Sequence, residues 1–496
     1  MDRLPISSMR AELPPVPEES LGDGDVEAAP KLLQSQPKQK HVERKPKAKS
    51  VAAKKENDRP VGERGNSRLK LLLLDQNWFS VYKRLWVLSV TLNVVGLVLA
   101  ARGHFPYAKS RAAVFSVANI LASVLVRNEV FLRVIFWLAV KLLGGHRSWI
   151  PIRFKFAVTA FLQSLGGIHS GCGVSSVMWL VYAIQQSLHH HHFTTNAIIG
   201  TAFGVLALLL ASIVAAFPAL RHIHHNLFER IHRFAGWLSV ALVWVFIFLA
   251  DNYNPATGSY SISGHHLVSK QEFWFLFATT IMIIMPWICV RKVPVQMVVP
   301  SKGVSLINFE GGIKPGILAR ISPSPLSEWH AFGIISDGKE RHTIVAGAVG
   351  DFTKKLVETP PTHLWVRTFH FAGLPYLVNM YDRALLVATG SGISVYLSFL
   401  LQATDAEVHL IWIAKSIRKS YGDEFANLVN SCSADKVTVY DSAISGRPNV
   451  QEMSAKKARE FRADVVIVTS NPGGTRAIIN TCKAAGIPAY GPIWDS

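Results

Sequence analysis

The sequence predicts a polytopic α-helical membrane bundle of about six spans, followed by a small β-barrel and an α/β domain. Hydrophobic residues make up 49% of the 496 residues, and they cluster in long runs between about residues 86 and 290. Such runs are typical of membrane-spanning helices. From about residue 293 short β-rich runs appear, and strands then alternate with helices. These two patterns predict a barrel and a doubly wound parallel sheet.

The first 68 residues are predicted to be a disordered basic tail. They are rich in Pro, Glu, Ser, Ala and Lys and include "KQKHVERKPKAKSVAAKKENDR". The tail precedes the first span, so we expect it to lie on anionic lipid at the cytoplasmic leaflet, as a solvated topology signal or as a specific lipid or partner site. The formal charge of +19 is concentrated there and beside the apolar runs. This placement favours membrane lipid over nucleic acid as a partner.

Six apolar runs are predicted to span the membrane, at residues 85–100, 112–126, within 154–187, 197–217, 234–250 and 273–290. The run 130–143 carries Arg133 and Lys141 and is predicted to be an interfacial helix. Basic residues flank one set of helix ends. By the positive-inside rule, the tail and everything after Val290 are cytosolic. The pattern does not distinguish the plasma membrane from an endomembrane.

The cytosolic part is divided into a barrel at 293–382 and an α/β domain at 383–496, after a membrane domain at 80–292. "LLVATGSGISVYLSFLLQ" (385–402) reads as a strand, a glycine turn and a helix. Gly390 and Gly392 would let a phosphate approach the helix N-terminus, although an ordinary strand-to-helix turn has the same composition. In "SEWHAFGIIS" (327–336), His330 and Phe332 could hold a planar flavin or could simply pack a strand end.

In this order, the segments resemble the ferric reductase and NADPH oxidase superfamily over residues 80–496. "EWHAF" is similar to its W-H-P-F-T flavin motif and "VGDFT" (349–353) to V-G-D-W-T. "TGSGISVYLS" is similar to G-x-G-x-x-P, "SNPGG" (470–474) to C-G-P, and "LVRNEVFLR" (125–133) to its R-N motif.

The resemblance implies a cytosolic ferredoxin-reductase-like module that binds FAD and NADPH or NADH. The cofactor-binding residues it implies are His330, Phe332, Gly350, Asp351, Thr353, Gly390, Gly392, Ser394 and Trp494, the last either stacking on the flavin or packing in the core. Lys415, Arg418 and Lys419 slightly favour the 2′-phosphate of NADPH.

Several motif positions depart from the family pattern. Ala331 and Gly333 replace the flavin motif's Pro and Thr, Val395 replaces the nucleotide motif's Pro, and Ser470 replaces the cysteine of C-G-P. Val345, Ala346 and Gly347 stand where the family has H-x-R, whose arginine contacts the FAD pyrophosphate. These changes keep open a catalytically eroded redox or nucleotide sensor, or a scaffold, as an alternative.

The family holds two haems with histidine pairs 13 or 14 residues apart on the third and fifth spans. Here the resemblance makes His232 an inner ligand and His169 an outer one, with Lys155 and Val245 or Phe246 at the paired positions. We therefore expect no ordinary bis-histidine haem and assign no metal ligand. A transmembrane metalloreductase with atypical haem ligation is the second alternative. Two outer histidine groups, His189 to His192 and His265 with His266, could hold a transition metal or lie in polar loops.

The chain is most similar to the haem-less fungal Tmp-type membrane proteins linked to conidiation. The same module resembles the C-terminal region of some fungal adenylate-forming proteins. The expected function is that of a membrane-anchored, FAD-dependent oxidoreductase that uses NAD(P)H on the cytosolic side, with an unidentified small-molecule electron acceptor and a regulatory role.

Overall fold

The computed structural model describes residues 80–145, 150–223, 225–261 and 264–493, with the backbone alone at positions 191, 222, 264 and 265. The predicted tail and Trp494 lie outside the described residues. The described residues all belong to one compact unit.

The first part of the described chain is helical. Its α-helices are α1 (Val81–Ala101), α2 (Pro106–Ser110), α3 (Ala112–Leu125), α4 (Glu129–Leu143), α5 (Ile152–Gln163), α6 (Gly166–His189), α7 (Asn196–Ala215), α8 (Pro218–Ile223), α9 (His225–Asn252), α10 (Gly264–Val268) and α11 (Gln271–Ile288). A short hairpin, β1 (Tyr253–Asn254) and β2 (Ser259–Tyr260), follows α9. By length and composition, α1, α6, α7, α9 and α11 could cross a membrane, and α3 is a shorter apolar helix. Insertion into a membrane stays a prediction.

The third predicted span is two helices, not one. α5 ends at Gln163 and α6 begins at Gly166, with Ser164 and Leu165 between them. The new helix packs tightly on α1, because a Cβ at Gly167 would lie 2.1 Å from the carbonyl oxygen of Tyr82. The span expected within 154–187 therefore corresponds to α6, which is long and apolar enough to cross a membrane, while the residues before Ser164 belong to a separate helix. The depth assigned to residues after the break changes with it.

Asn128 connects α4 to α11. Its Oδ1 accepts hydrogen bonds from the N–H groups of Val130 and Phe131, both at 3.0 Å, which caps α4. Its Nδ2 donates to the carbonyl of Met282 at 2.8 Å. That carbonyl lacks its helical donor because Pro286, four residues later, has no N–H. The asparagine thus satisfies a backbone group that the proline leaves open.

An antiparallel β-barrel follows the helices. Its strands are β3 (Val290–Pro294), β4 (Gln296–Ser301), β5 (Val304–Glu310), β6 (Ile317–Ser322), β7 (His330–Gly333), β8 (Ile335–Ser336), β9 (Arg341–Gly347), β10 (His363–Arg367) and β11 (Phe371–Ala372), with helix α12 (Asp351–Glu358) between β9 and β10. One sheet has the order β4-β5-β9-β8, and the other has β11-β6-β10-β3, with β7 paired to β6. Ile307, Ile321 and Ile344 are fully buried in its core.

Two histidines are buried in this barrel. The rings of His342 and His370 lie 5.8 Å apart, with 7% and 8% of their surfaces exposed. Burial lowers the pKa of His370 to about 4, and it also lowers the pKa of His342, against a hydrogen bond to the Gly311 carbonyl. Both side chains are therefore neutral in the folded protein at pH 7.

This burial predicts acid sensitivity. The unfolded chain protonates each histidine near pH 6.5 and the folded barrel does not, so stability falls as pH drops below about 6.5. We expect His370 alone to remove up to about 1.4 kcal/mol of unfolding free energy per pH unit between pH 6.5 and 4. Chemical unfolding of wild type and His370→Leu at both pH values measures this. An equal slope in the two proteins would contradict the assignment.

The C-terminal part is a parallel sheet covered by helices. Its strands are β12 (Arg383–Thr389), β13 (Glu407–Ala414), β14 (Val437–Asp441), β15 (Val465–Thr469) and β16 (Ala489–Tyr490), and its helices are α13 (Ser398–Leu401), α14 (Ile417–Tyr421), α15 (Asp423–Asn430), α16 (Val450–Glu460) and α17 (Pro472–Ala484). The sheet order is β14-β13-β12-β15-β16, and every pairing is parallel. The order reverses between β12 and β15, which is where such sheets bind ligands. A barrel followed by this sheet is the predicted ferredoxin-reductase-like arrangement.

Candidate functional site

The flavin-motif strand β7 lies against the start of α12. The His330 ring stacks on Phe352 at a centroid distance of 4.5 Å and an interplanar angle of 5°. Its Nε2 is buried and has no hydrogen-bond partner among the described residues. Burial lowers the pKa of His330, opposed chiefly by Glu328 and Glu229. A neutral imidazole with one unpaired buried nitrogen fits a ligand that supplies the missing hydrogen bond.

The N-terminus of α12 is already satisfied in part by its own residues. Thr353 Oγ1 accepts hydrogen bonds from the N–H groups of Gly350 at 3.0 Å and Val349 at 3.1 Å, and donates to the Gly350 carbonyl. Asp351 adds a carboxylate in the first turn. The helix dipole favours that carboxylate, which opposes a phosphate at the same position. Thr353 thus has a capping role that the sequence interpretation did not assign.

The glycine turn after β12 lies at the switch point of the parallel sheet. Gly390 has φ +58°, and its carbonyl accepts a hydrogen bond from Trp412 Nε1 at 2.9 Å. A Cβ at Gly392 would lie 2.8 Å from the Thr469 carbonyl oxygen. The hydroxyls of Thr389 and Ser470 are 2.7 Å apart across the reversal of strand order. The two predicted nucleotide motifs therefore face each other across one crevice.

The helix expected after this turn is not formed as predicted. Residues Gly390–Val395 form a 3₁₀ turn, and only four residues, Ser398–Leu401, are α-helical. Ser394 lies inside the turn with 4% of its surface exposed. A helix this short offers almost no dipole to a phosphate. The turn's backbone and the hydroxyls near Thr389 would therefore have to do the binding.

The flavin strand and the nucleotide turn are in direct contact. A Cβ at Gly333, the last residue of β7, would lie 2.5 Å from Val395 N and 2.6 Å from the carbonyl carbon of Ser394. At the end of β9, a Cβ at Gly347 would lie 2.9 Å from Ser391 Oγ. Glycine at these positions lets the two backbones touch. The candidate flavin and nucleotide sites are thus parts of one cleft.

The cations after β13 are arranged differently from expectation. Arg418 donates to Asp423 at 2.8 Å and to Asn427 at 3.1 Å on the exposed surface. Asp441 accepts hydrogen bonds from the N–H groups of Ser416 and Ile417 and so fixes the loop. Arg418 is engaged by its own neighbours. The structure gives it no clear role in choosing NADPH over NADH.

His169 and His232 are close neighbours, which corrects the expectation that they lie near opposite membrane faces. Their ring centroids are 6.1 Å apart. The error came from the third span, because α6 begins only three residues before His169. His232 likewise lies only seven residues after the start of α9, so both rings are near the first turns of their helices. The expectation that no histidine pair exists at one depth is therefore wrong.

Both rings are held in the same way. His169 Nδ1 donates to the Ser123 carbonyl at 2.9 Å, and His232 Nδ1 donates to the Ser212 carbonyl at 3.2 Å. A carbonyl only accepts, so a hydrogen bond to it requires the proton on Nδ1 and leaves the lone pair of a neutral ring on Nε2; the Ser123 hydroxyl also lies 2.9 Å from His169 Nδ1. This is the arrangement of metal-binding histidines. Two rings bound to one metal atom lie roughly 6 Å apart, given metal–nitrogen bonds of about 2.0–2.1 Å, and the 6.1 Å between these centroids is of that size.

Lys155 does not lie opposite His232 as expected. It is on α5, with 3% of its surface exposed. Its carbonyl accepts a hydrogen bond from Tyr381 Oη at 3.4 Å. The Thr159 hydroxyl lies 2.6 Å from that Tyr381 Oη. The segment around Lys155 therefore connects the helices to the module formed by the barrel and the parallel sheet.

Of the histidines predicted to lie on the outer side, His266 is paired with a carboxylate. His266 Nδ1 lies 2.9 Å from Asp251 Oδ1, and Lys270 lies 3.7 Å from the same oxygen. Within the described residues, no group of three or more His, Cys, Asp or Glu side chains could hold a metal ion.

One cluster escaped the sequence analysis. Glu129, 5% exposed, lies between two arginines of the barrel: its Oε1 is 2.5 Å from Arg320 Nε and 2.6 Å from an Arg367 nitrogen. Arg367 also lies over the Trp329 ring at 4.8 Å. We call Glu129, Arg320 and Arg367 the junction cluster. The only sequence signal was the R-N motif, which precedes Glu129 directly.

Comparisons with known proteins agree with parts of this description. Residues 374–496 match the family model "Adenylate-forming reductase 03009, C-terminal domain". Adenylate-forming reductase 06235 of Coprinopsis cinerea is 34% identical over 425 residues, which is 84% of this chain and 40% of that protein. Adenylate-forming reductase 03009 of the same organism is 33% identical over 424 residues, with the same coverage. The chain spans about two fifths of the length of these curated relatives.

The similarity to a C-terminal region of adenylate-forming proteins is thus confirmed, whereas the Tmp-type resemblance stays a prediction. Among solved structures, the ferredoxin reductase in carbazole 1,9a-dioxygenase aligns with 41% of this chain and 69% of its own, at 13% identity and a TM-score of 0.32. Full-length CYP116B46 from Tepidiphilus thermophilus aligns with 76% of this chain and 72% of its own, at 12% identity and a TM-score of 0.34.

Proposed function

We propose that this chain is a membrane-anchored, FAD-dependent oxidoreductase that takes hydride from NADPH or NADH on the cytosolic side. The observation that carries the proposal is the contact between Gly333 and the 390–395 turn. It joins a strand with an unpaired buried imidazole to the switch point of a nucleotide-binding type of sheet. The curated relatives are named adenylate-forming reductases, which supports a reductase activity for this chain.

The chain's own residues would bind and position the cofactors. A bound flavin supplies a two-electron acceptor for a hydride. His330 Nε2 can hydrogen-bond the flavin, while its stacking on Phe352 fixes the ring. The turn at Gly390 and Gly392 lets a dinucleotide backbone approach the sheet, and Ser470 lies at the opposite wall. Direct contact between β7 and the 390–395 turn would keep the two cofactor sites at a fixed separation.

The helical half would anchor the module, with the tail and cytosolic domains on one side and anionic lipid under the tail. Five helices of sufficient length and apolar composition support this placement. A small-molecule acceptor would then be cytosolic or dissolved in the membrane. The conidiation-linked regulatory role remains part of the Tmp-type resemblance.

Gly392→Val separates this function from the sensor or scaffold alternative. A side chain there would collide with the Thr469 carbonyl and close the crevice. We expect the variant to retain bound flavin and to lose more than tenfold in NAD(P)H-dependent flavin reduction. A scaffold predicts instead that the cellular phenotype of the wild-type chain persists in the variant. An absorbance titration measures flavin reduction, and complementation of a deletion strain measures the cellular phenotype.

The histidine pair favours a second candidate, in which electrons pass on to one haem iron held by His169 and His232. The 6.1 Å ring separation and the matched Nδ1 hydrogen bonds support it. A reduced-minus-oxidised spectrum should then show a b-type band in wild type. His169→Ala and His232→Ala should each abolish the band, and His363→Ala, on the exposed start of β10, should not. A wild-type spectrum without the band rules this candidate out.

A further inference from the structure

A cavity of about 370 Å³ lies between α9 and α11. Its volume falls in the range of about 300–1,000 Å³ that small-molecule sites occupy. Its walls are mostly aliphatic and aromatic side chains, and they include three tryptophans, Trp237, Trp244 and Trp287. One side is open, because the lining residues Ala241 and Ile284 are exposed. With α9 and α11 in the membrane, as proposed, this opening faces lipid.

The indole N–H groups of this cavity differ in their hydrogen bonding. Trp244 Nε1 donates to Thr280 Oγ1 at 3.0 Å, and that hydroxyl donates in turn to the Leu276 carbonyl at 2.8 Å. Neither Trp237 Nε1 nor Trp287 Nε1 has an acceptor among the described residues. An indole nitrogen only donates, and lipid chains offer it no acceptor. The cavity therefore suits a ligand that carries carbonyl oxygens.

Aromatic rings connect the cavity to the candidate flavin strand. Trp287 lies one residue before the end of α11, and its ring centroid is 5.2 Å from that of Trp237 and 6.4 Å from that of Trp329. Trp329 is 6% exposed and directly precedes His330, the residue with the unpaired buried nitrogen. The Arg367 guanidinium lies over the Trp287 and Trp329 rings, at 5.8 Å and 4.8 Å. Packed rings thus lead from the flavin strand to a cavity that opens toward lipid.

We propose that this cavity binds the ring of a membrane quinone, the electron acceptor of the proposed flavin oxidoreductase. The inference rests on that proposed function and names the chemical class of its acceptor. A quinone fits because its ring is planar, its two carbonyls accept hydrogen bonds, and its apolar tail can leave through the open side. The tryptophan rings pack against the quinone ring, and the indoles of Trp237 and Trp287 donate to its carbonyls.

The reaction balances with NADPH or NADH as the reductant and the quinone as the oxidant. Each turnover takes a hydride, which is two electrons and one proton, from the nicotinamide, and a second proton from cytosolic water. The two quinone carbonyls become the hydroxyls of a quinol, and the bound flavin ends in the state in which it began. Because the flavin strand contacts the end of α11 that borders the cavity, the electrons need not cross the bilayer.

Quinone binding is measured first, on the full flavin-free chain in nanodiscs of phosphatidylcholine. The probe is decylubiquinone, and saturable quenching of tryptophan fluorescence reports its affinity. Ala241→Phe fills the cavity, Trp237→Phe keeps a ring but removes an N–H, and the control Ala250→Phe adds a ring on an exposed part of α9 outside the cavity. We expect Ala241→Phe to weaken binding about tenfold or more. Trp237→Phe should weaken it about threefold to tenfold and the control less than about twofold.

Electron transfer is measured separately, on the chain loaded with FAD and photoreduced with EDTA under anaerobic conditions. A low concentration of decylubiquinone should restore the oxidised flavin spectrum in wild type and in Ala250→Phe, and about tenfold more slowly in Ala241→Phe. This step uses no nicotinamide nucleotide. A wild-type chain that binds the quinone but no FAD, or whose FAD neither nucleotide reduces, would therefore refute the proposed function and leave the quinone site standing.

Four results overturn the inference. The first is the absence of saturable binding to wild type, and the second is equal affinity in wild type and in both cavity variants, since each leaves the cavity to lipid chains. The third is displacement of the quinone by an equal concentration of ergosterol, which assigns the cavity to a sterol. The fourth is a photoreduced wild-type chain that the quinone does not reoxidise. Melting temperatures check folding, and the affinity of Trp237→Phe decides the matter where Ala241→Phe does not fold.

Discussion

Replacing Glu129 with alanine is expected to lower the free energy of unfolding by about 3–5 kcal/mol. The substitution leaves Arg320 and Arg367 without their shared carboxylate at a site where Glu129 is 5% exposed. The remaining guanidinium groups would repel each other in a poorly solvated junction. Because one partner is on α4 and two are on the barrel, the loss should also loosen the contact between the helices and the barrel.

A matched control is the exposed pair of Arg383 and Glu407, whose side chains keep 42% and 53% of their surfaces. Glu407→Ala should change stability by no more than about 1 kcal/mol, because solvent screens exposed pairs. Chemical unfolding of both variants in the same detergent measures the difference. Equal effects would mean that Glu129 is solvated in solution and that the junction cluster is not buried.

Gly333→Ala is expected to place a strongly damaging methyl group between the flavin strand and the nucleotide turn. The new Cβ would lie 2.5 Å from Val395 N, and the obstructing atoms are backbone, which cannot rotate away. Overpacking of this kind costs about 1–3 kcal/mol. Because the clash separates the flavin strand from the nucleotide turn, the rate of flavin reduction should fall about 100-fold.

Gly303→Ala is the control for this substitution. It lies between β4 and β5, and a Cβ there would meet only Ser301 Oγ at 3.8 Å, an ordinary contact. Stopped-flow reduction of bound flavin by NADPH compares the two variants. Flavin reduction at the wild-type rate in Gly333→Ala would show that the two sites do not depend on this contact.

The sequence predicted the barrel and the parallel sheet well because their signals are local. Continuous apolar runs mark the buried parallel strands, as at Leu385 and Val387, and the glycine turn follows its strand directly. The alternation of strands and helices then determines the class of sheet. The length of the helix after the turn was overestimated because apolar composition continues through "ISVYLSFLLQ". The start of this run belongs to the 3₁₀ turn Gly390–Val395, which tertiary contacts hold in place.

The errors in the helical half have a different origin. Apolar residues continue across Ser164 and Leu165, so hydropathy cannot show a helix break that depends on Gly167 packing against Tyr82. That single break displaced His169 from the outer to the inner end of its helix. The Glu129 cluster was invisible for another reason, since Glu129 and Arg367 are 238 residues apart in the chain.

The central claim is that the cleft at Gly333 holds a flavin which a nicotinamide nucleotide can reduce. The most direct measurement is an anaerobic visible spectrum of the full chain in nanodiscs, saturated with FAD, before and after addition of NADPH or NADH. We predict about one bound flavin per chain and loss of its visible absorption on addition of nucleotide. A chain that binds no FAD, or whose bound flavin is bleached by dithionite and by neither nucleotide, would contradict the claim.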